Sequence, residues 1–280
     1  MSSFPIFHDS DLVLRSAASE SQPCGEHNSI DFHVHRCIMS AASPFFEAML
    51  SLPQPSAEHT SNNPIIPFTE SAPVLETLLR YVYPIPDPHI ATLDELVPAL
   101  EAARKYDMTA ATEGLRRRLV APDFLKASPL RVYAIASRFE LDKEAALAST
   151  ATLAVGLHTL PLHDDLQSMS GYAYHKLLLL HQRRTEAAIA LLERPSEVSC
   201  MLCSGRRGAL DEPPRWWERY RAAAAEELRA RPTSAVVCSL AFLQQAARVA
   251  GCERCAGSIL ASFWFFEDLR CKIDELPATV

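Results

Sequence analysis

Apolar and polar residues alternate over three short stretches in the first quarter of the chain. The stretches are residues 11–16, 29–35 and 63–68, and a small, polar segment with Pro23 and Gly25 separates the first two. A period of two is typical of a strand with one buried face, and small turn residues between two such runs predict a hairpin loop. The pattern therefore predicts a small sheet at the start of the chain.

Helical periodicity appears between the second and third of these strands. Ser43 followed by Pro44 predicts a helix start, because serine caps the free amides of a first turn and proline has no amide to lose there. Phe46, Met49 and Leu50 then lie on one face of the predicted helix. The segment that follows is rich in proline and polar residues, which predicts a loop.

From residue 72 onward almost the whole chain has the pattern of helices separated by prolines. Thr92 followed by Glu95 predicts a capping box, and Pro122 marks a boundary between regions. A serine–proline helix start recurs at residues 128–129, and a long helix is predicted over roughly 170–193. We therefore expect an α+β fold, with a small sheet and helices in the N-terminal domain and an all-α C-terminal region.

Composition narrows the possible partners. Glycine is scarce at 8, proline is frequent at 20, and the formal net charge is -7. An acidic protein has no long-range attraction for phosphates, and the densest basic cluster, residues 115–119, predicts a solvated helix face. Direct binding of nucleic acid is therefore not expected.

The N-terminal segment and the apolar runs bear on the compartment. Residues 1–16 lack a basic region followed by an unbroken apolar core, and no apolar run approaches the roughly 20 residues of a membrane span. We expect no signal peptide and no membrane span, and a cytoplasmic or nuclear location. In those compartments the 8 cysteines are thiols or metal ligands rather than disulfides.

Soft metal ligands alternate at the end of the second predicted strand. His33 and His35 share one strand face, but a zinc site needs three or four protein ligands. Cys37 follows in a stretch with the pattern of a helical turn, so it does not continue the alternation. A metal site here is therefore not favoured.

Taken in order, these features resemble a BTB/POZ domain. The resemblance begins with the aspartate-led strand, continues with a strand that ends in histidine plus a basic residue, and includes a helix of the form Ser-x-x-Phe. It goes on through "IIPFTE" and "VLETLLRYVYP" and ends in "DELVPALEAARKYDMTAATEGLRRRL", which is similar to the family's closing helix pair. It covers residues 8–121, and the motif residues are Asp11, His35, Arg36, Ser43, Phe46 and Met49.

The resemblance implies protein–protein interaction rather than catalysis. BTB domains commonly homodimerise, and many recruit cullin-type ubiquitin ligase scaffolds or transcriptional co-repressors, so a substrate adaptor and a co-regulator are alternatives. Asp11 and Arg36 match the family's buried charged pocket near the dimer interface, and an ordinary ion pair within one subunit is the alternative. The apolar–x–acidic motif of cullin-binding members is not evident after Met49.

The middle region, residues 122–194, is similar to the helical extension called BACK that follows BTB domains in adaptor proteins. An unrelated helical extension is the alternative. No P-loop, Rossmann glycine pattern or nucleophile elbow occurs in the chain, so no catalytic residue is predicted. A metal-dependent or redox enzyme stays an alternative from another functional class.

The third region, residues 195–280, contains two matching cysteine pairs. Cys200 with Cys203 and Cys252 with Cys255 share the form C-x-x-C-x-G, in which two thiolates and a trailing glycine are typical of a zinc knuckle. Two such pairs predict one structural zinc and no other cofactor. Buried free thiols are the alternative.

The long spacing between the two pairs is explained if a helical hairpin lies between them. Two antiparallel helices of about 16 residues, each about 24 Å long, would return the chain to its starting end, where the four cysteines would meet. Inward positions are predicted at Trp217, Tyr220, Ala224 and Leu228, then at Val236, Leu240, Leu243 and Ala247, and in a last helix at Ile259, Phe263, Phe266 and Ile273. Cys238 and Cys271 are predicted to be core thiols, and Gly251 is predicted to end the second helix.

Overall fold

The computed structural model of this 280-residue chain describes residues 4–18, 29–52, 63–193, 198–204 and 213–280. It forms two compact units, Met1–Phe124 and Leu125–Val280. The first unit combines a small sheet with helices and the second is helical, which confirms the predicted α+β fold class.

The sheet of the first unit has three short strands, β1 (Leu12–Arg15), β2 (Asp31–Val34) and β3 (Ile65–Pro67). Their order is β2-β1-β3, with β2 antiparallel and β3 parallel to β1. The guanidinium of Arg15 donates to both carboxylate oxygens of its cross-strand neighbour Asp31, at 2.7 and 2.8 Å. The three predicted strands are therefore present, whereas most of the predicted hairpin loop, residues 19–28, lies outside the described residues.

Five helices complete the first unit in the described part of the chain. They are α1 (Arg36–Ala42), α2 (Pro44–Ser51), α3 (Ala72–Val82), α4 (Leu93–Lys105) and α5 (Thr109–Leu119). Both predicted helix starts are confirmed: the Ser43 hydroxyl accepts from the amide of Phe46, and Thr92 and Glu95 form a reciprocal capping box at the start of α4. Local sequence signals thus set where these helices begin.

Helix α5 packs against α3 at Gly114. A Cβ atom added at this position would lie 2.3 Å from the ring of Tyr81, which is closer than any real contact. Gly114 therefore leaves the space that the ring of Tyr81 occupies against α5.

The second unit consists of helices, and the first of them begins in the last three residues of the first unit. They are α6 (Pro122–Ala127), α7 (Pro129–Arg138), α8 (Asp142–Thr152), α9 (Gly171–Ala190), α10 (Arg215–Ala230), α11 (Ser234–Val237), α12 (Leu240–Val249), α13 (Cys255–Ala261) and α14 (Phe263–Asp274). Two short 3₁₀ helices, Leu157–Thr159 and Asp164–Ser168, lie between α8 and α9. No helix in the described ranges is long and apolar enough to cross a membrane.

Helices α4 and α7 end in the same way. Each is followed by an acidic residue with positive φ, Asp107 at 49° and Glu140 at 56°. The next amides, those of Met108 and Leu141, donate at 2.8 Å to carbonyls five residues earlier. This is the Schellman arrangement, which satisfies helix carbonyls that have no partner within the helix.

The core at the C-terminal end of the second unit is aromatic. The inward positions predicted on α10 are all buried, and so is Trp216. The ring of Tyr220 contacts Trp216, Trp217, Phe242 and Phe266 with centroid separations of 5.3 to 6.2 Å. Helix α10 therefore supplies much of the apolar surface on which α12 and α14 pack.

Four predictions for this region are wrong. The second helix of the hairpin is broken at Cys238–Ser239, because the Ser239 hydroxyl accepts from the Phe242 amide and starts a new helix, α12. The last helix is likewise divided at Ser262 into α13 and α14. Leu240 and Phe263 are the first residues of the new helices α12 and α14, and they are 61% and 55% exposed instead of buried. Leu243, Phe266 and Ile273 farther along these helices are buried as predicted.

The two cysteines predicted as core thiols differ from each other. Cys271 on α14 is exposed, so that prediction is wrong, because the buried face of this helix carries Phe266, Leu269 and Ile273 instead. Cys238 is partly buried, and burial raises the pKa of its thiol to about 12. It therefore stays a protonated thiol within the core.

Candidate functional site

The motif residues of the first unit hold α2 in place. Ser43 is fully buried, and its hydroxyl donates to the carbonyl of Tyr106 at 2.5 Å while it caps α2. Phe46 is buried against the rings of Phe68 and Tyr106. Met49 is partly buried on the same helix.

His35, at the end of β2, has partners on both ring nitrogens. Its Nδ1 lies 3.2 Å from the Tyr83 hydroxyl and its Nε2 lies 3.1 Å from the carboxylate of Asp9. Its backbone amide also donates to the Tyr83 hydroxyl at 2.8 Å. Burial raises the pKa of Tyr83 to about 12, so this hydroxyl stays protonated. These contacts give His35 a role in joining β2 to the end of α3.

Asp11 and Arg36 are close together, although their side chains do not pair with each other. The carboxylate of Asp11 accepts from the backbone amide of Arg36 at 2.7 Å, and the guanidinium of Arg36 donates to the carbonyl of Leu50 at 3.1 Å. Asp11 is exposed and Arg36 is partly buried. Asp11 thus bonds a free amide at the start of α1, and its role at an interface between two copies stays a prediction.

The second unit brings the four predicted metal ligands together. The sulfur atoms of Cys200, Cys203, Cys252 and Cys255 all lie within 4.8 Å of one another. Cys200 and Cys252 are 3.9 Å apart, and Cys203 and Cys255 are 3.7 Å apart, Sγ to Sγ. A disulfide would need about 2.05 Å, so these are four separate thiols. The prediction that the two pairs meet is confirmed.

Backbone hydrogen bonds shape the two cysteine turns. The amide of Ser204 donates to the carbonyl of Cys200 at 3.0 Å, and the amide of Cys255 donates to the carbonyl of Cys252 at 3.1 Å. Each pair therefore turns back so that both of its sulfurs point the same way. The amide of Arg215, the first residue of α10, also donates to Cys203 Sγ at 3.4 Å.

The glycine of the second C-x-x-C-x-G motif does not act as predicted, because Gly257 lies inside α13 with no positive φ. Gly205 of the first motif lies outside the described residues, so its role stays a prediction. Gly251 instead has φ of 62°, and it ends the segment before the second pair, as predicted. A helix N-terminus therefore positions Cys255, where a folded-back glycine loop was expected.

The thiols of the cluster differ in their pKa values. Burial opposes ionisation, but the amides of Cys203 and Leu202 lower the pKa of Cys200 to about 7. Burial raises the pKa values of Cys203 and Cys255. Four thiolates at this spacing would repel one another strongly, so full ionisation needs a bound cation.

The cluster matches the size of a four-thiolate metal site. A zinc–sulfur bond of about 2.3 Å in tetrahedral geometry puts sulfurs about 3.8 Å apart. This is close to the distances of 3.9 Å between Cys200 and Cys252 and of 3.7 Å between Cys203 and Cys255. Two of the cysteines are buried and two are partly buried, so an ion held there is largely shielded from water. Four protein ligands leave no open position for chemistry, which makes such a site structural.

One contact network beside the cysteines was not anticipated from the sequence. The indole of Trp216 donates to the Ser258 hydroxyl at 2.9 Å, which in turn donates to the carbonyl of Ser199 at 2.6 Å. It joins the first cysteine turn to α10 and α13 within the buried core. Nothing in the local sequence marks Ser258, because its partners lie 42 and 59 residues away.

Comparison with known families bears on the first unit. Residues 24–121 match the family model of the BTB/POZ domain. The match ends close to the end of the first unit at Phe124, so it describes this unit and not the helical one. The comparison with curated proteins finds no match.

Proposed function

We propose that the BTB/POZ domain of residues 24–121 makes this protein a non-enzymatic interaction module that pairs with a second copy of itself and recruits a protein partner. The observation that carries this proposal is the family match, on a unit that folds as a three-stranded sheet with helices. BTB domains are generally interaction modules rather than enzymes. Exposed apolar side chains on the unit, Ile6, Phe45, Leu52 and Ile65, suit such a role.

Light scattering of the full chain tests self-pairing. At micromolar concentration the expected mass is twice that of one chain. Asp11→Asn, which removes the charge from the proposed pocket, should raise the dissociation constant at least about tenfold, whereas Asp87→Asn, on the surface of the same unit, should not. A single-chain mass for the unaltered protein would contradict the proposal.

Affinity purification of the protein followed by mass spectrometry would identify the class of partner that it recruits. Recovery of a cullin would make the protein a ubiquitin-ligase substrate adaptor, and recovery of chromatin factors would make it a transcriptional co-regulator. Residues 53–62, where part of the segment after Met49 lies, are outside the described residues. We further propose a cytoplasmic or nuclear location, which either partner class requires.

For the second unit we propose a BACK-like extension over residues 122–194 and a cysteine-clamped helical hairpin over residues 195–280. The extension is supported by the close packing of α7 on α8, which is typical of a helical pair. Contacts that unite the two segments, such as the hydrogen bond from Thr185 to the carbonyl of Leu228 at 3.2 Å, suit a single helical unit.

We propose that Cys200, Cys203, Cys252 and Cys255 hold one structural zinc ion. The support is their donor chemistry, their sulfur separations and the closed coordination set. Elemental analysis of purified protein should find about one equivalent of zinc per chain. Less than about half an equivalent would refute the site in favour of free thiols.

A further inference from the structure

Helices α12 and α13 form an apolar groove on the surface of the second unit. Its volume is about 450 Å³, within the range of cavities that bind ligands. All of the lining residues lie between Leu240 and Leu260, so the groove belongs to one unit.

The walls of the groove are two helical stripes. Leu240 and Leu243 line it from α12, and Ile259 and Leu260 line it from α13. Leu243 and Ile259 are buried, whereas Leu240 and Leu260 are 61% and 68% exposed. Two leucines that stand exposed on opposite sides of a concave apolar surface are typical of a binding groove.

The described residues that line the groove carry a single charge, which is positive. Arg248 is the one charged residue that lines it in the described part of the chain, and Gln244 adds a neutral amide. Arg248 is exposed and has no ion-pair partner among the described residues. An apolar surface with a cation at its edge is complementary to an apolar occupant that carries a carboxylate.

The length of α12, which lines the groove, suits a short docked helix. Helix α12 has 10 residues, which corresponds to a length of about 15 Å, or roughly three turns of a docked helix. Side chains three and four residues apart on such a helix would meet the stripes of α12 and α13. We propose that this groove binds an acidic amphipathic helix of a partner protein, with its apolar face between the two helices and a carboxylate opposite Arg248.

Neighbouring charges and the cysteine cluster bear on this proposal. Glu253 and Arg254, in the turn between the helices, are both exposed, and they are opposite in charge, so Arg248 decides the sign at the groove. Cys252 lines the groove as well as belonging to the cysteine cluster. The proposal therefore depends on the proposed zinc only through the position of Cys252, and it is independent of the BTB/POZ domain.

Binding of two labelled peptides to the full chain tests the charge. One peptide is a capped 14-residue helix with leucines three and four residues apart and glutamates elsewhere, and its counterpart has lysine in place of every glutamate. In fluorescence anisotropy the glutamate peptide should bind at least about tenfold more tightly. Arg248→Glu should reverse this order, whereas Arg221→Glu, an exposed arginine on α10, should leave it unchanged.

Serine substitutions test the apolar contacts. Leu240→Ser and Leu260→Ser should each weaken binding of the glutamate peptide about tenfold, because each removes a leucine that the peptide would cover. Leu162→Ser is the matched control, since Leu162 is 94% exposed and lies outside the groove.

Four outcomes would overturn the proposal. They are binding of neither peptide, equal affinity for the two peptides, no effect of Arg248→Glu, and a mass halved by Leu240→Ser in light scattering, which would assign the groove to a second copy. Zinc content measured on the same samples distinguishes failure of this proposal from failure of the proposed zinc site. Metal-free protein that still prefers the glutamate peptide would support the groove and refute the zinc, and zinc-loaded protein that binds neither peptide would refute the groove alone.

Discussion

The two units differ in how their long-range hydrogen bonds are shared among side chains. In the first unit a side chain such as that of Ser43 makes one such bond, to the carbonyl of Tyr106, 63 residues away, while its other partner is a neighbour in sequence. In the second unit, Arg184 reaches carbonyls 48 to 93 residues away, and the cross-pair cysteines are 52 residues apart. Loss of one such residue in the second unit therefore removes several connections at once.

Arg184 shows this difference most clearly. It is 5% exposed, and its guanidinium donates to the carbonyls of Pro232, Ile273, Leu276 and Pro277. One side chain thus joins α9 to the turn after α10 and to the end of α14. A buried charge is tolerated there because every carbonyl it contacts is a hydrogen-bond acceptor.

The tryptophans allow the two units to be followed separately. All 3 tryptophans of the chain, at positions 216, 217 and 264, lie in the second unit. Tryptophan fluorescence therefore reports unfolding of that unit alone, and hydrogen exchange of the β1 and α2 amides reports on the first.

The largest expected effect comes from the cysteine cluster. Cys255→Ala should abolish zinc binding and lower the free energy of unfolding of the second unit by several kcal/mol, since structural zinc contributes about 10 kcal/mol even in small peptides. Zinc analysis and urea titration followed by tryptophan fluorescence measure both effects. The control is Cys238→Ala, which removes a partly buried thiol outside the cluster and should leave zinc content unchanged. Equal effects of the two variants would contradict the assignment.

Replacement of the buried arginine should have the next largest effect. Arg184→Met should lower the free energy of unfolding of the second unit by about 3 kcal/mol, because it leaves buried carbonyls without donors. Arg183→Met is the matched control, since Arg183 is exposed one position earlier on α9 and should change stability by less than about 0.5 kcal/mol. Denaturation followed by fluorescence would reject this role if the two variants were indistinguishable.

A smaller effect is expected in the first unit. Ser43→Ala removes the cap of α2 and the bond to the Tyr106 carbonyl, so it should lower the stability of this unit by about 1–2 kcal/mol. Hydrogen exchange of the α2 amides should accelerate while the fluorescence transition stays in place. Ser51→Ala, at the exposed end of the same helix, is the control. A shift of the fluorescence transition by Ser43→Ala would show that the units do not unfold independently.

The smallest expected effect is a loss of stability of the second unit as the pH falls. Burial, with a minor contribution from His158, lowers the pKa of His181 from 6.5 to about 4. The folded state thus favours the neutral ring, and the stability it contributes is present above pH 6.5 and is lost as the pH falls toward 4. We expect a loss of about 1 kcal/mol in the second unit, reduced from the full linkage value because the ring is partly exposed.

The first unit should respond at lower pH. Burial of Glu70 acts to raise the pKa of its carboxyl, but contacts with Lys105 and Tyr106 outweigh burial and lower this pKa. The stability that Glu70 contributes is therefore lost only below the ordinary pKa of a glutamate, about 4.3. Urea titrations at pH values between 7 and 4.5 should therefore show that the free energy of unfolding falls with pH in the second unit only. His181→Gln should remove that slope and His175→Gln, on the exposed face of α9, should keep it. An equal slope in both units would contradict this assignment.

Predictions from the sequence were most accurate where a signal and its effect are neighbours in the chain. The start of α2 at Ser43–Pro44 and the three strands follow from capping and alternation, and both are present. The meeting of the cysteine pairs was predicted from helix lengths alone. It is correct although the second helix is broken at Ser239, because α11 and α12 together still return the chain to its starting end.

Predictions failed at single positions whose burial depends on distant packing. Phe263 and Cys271 were predicted to be buried, but Phe263 begins a new helix after the break at Ser262, and the buried face of α14 carries Phe266, Leu269 and Ile273 instead. The burial of Arg184 could not be predicted, because an arginine in a helix is expected to be solvated unless the carbonyls around it are known.

The sequence by itself determined which segments become strands and helices, where most of them begin, and which four cysteines form one cluster, because these features depend on spacing and on caps a few residues away. Only the tertiary structure decided that Leu240, Phe263 and Cys271 are exposed, which carbonyls Arg184 satisfies, and that Leu240, Arg248 and Leu260 border one groove. Those outcomes depend on the packing of residues far apart in the chain, which the periodicity of a single helix does not contain.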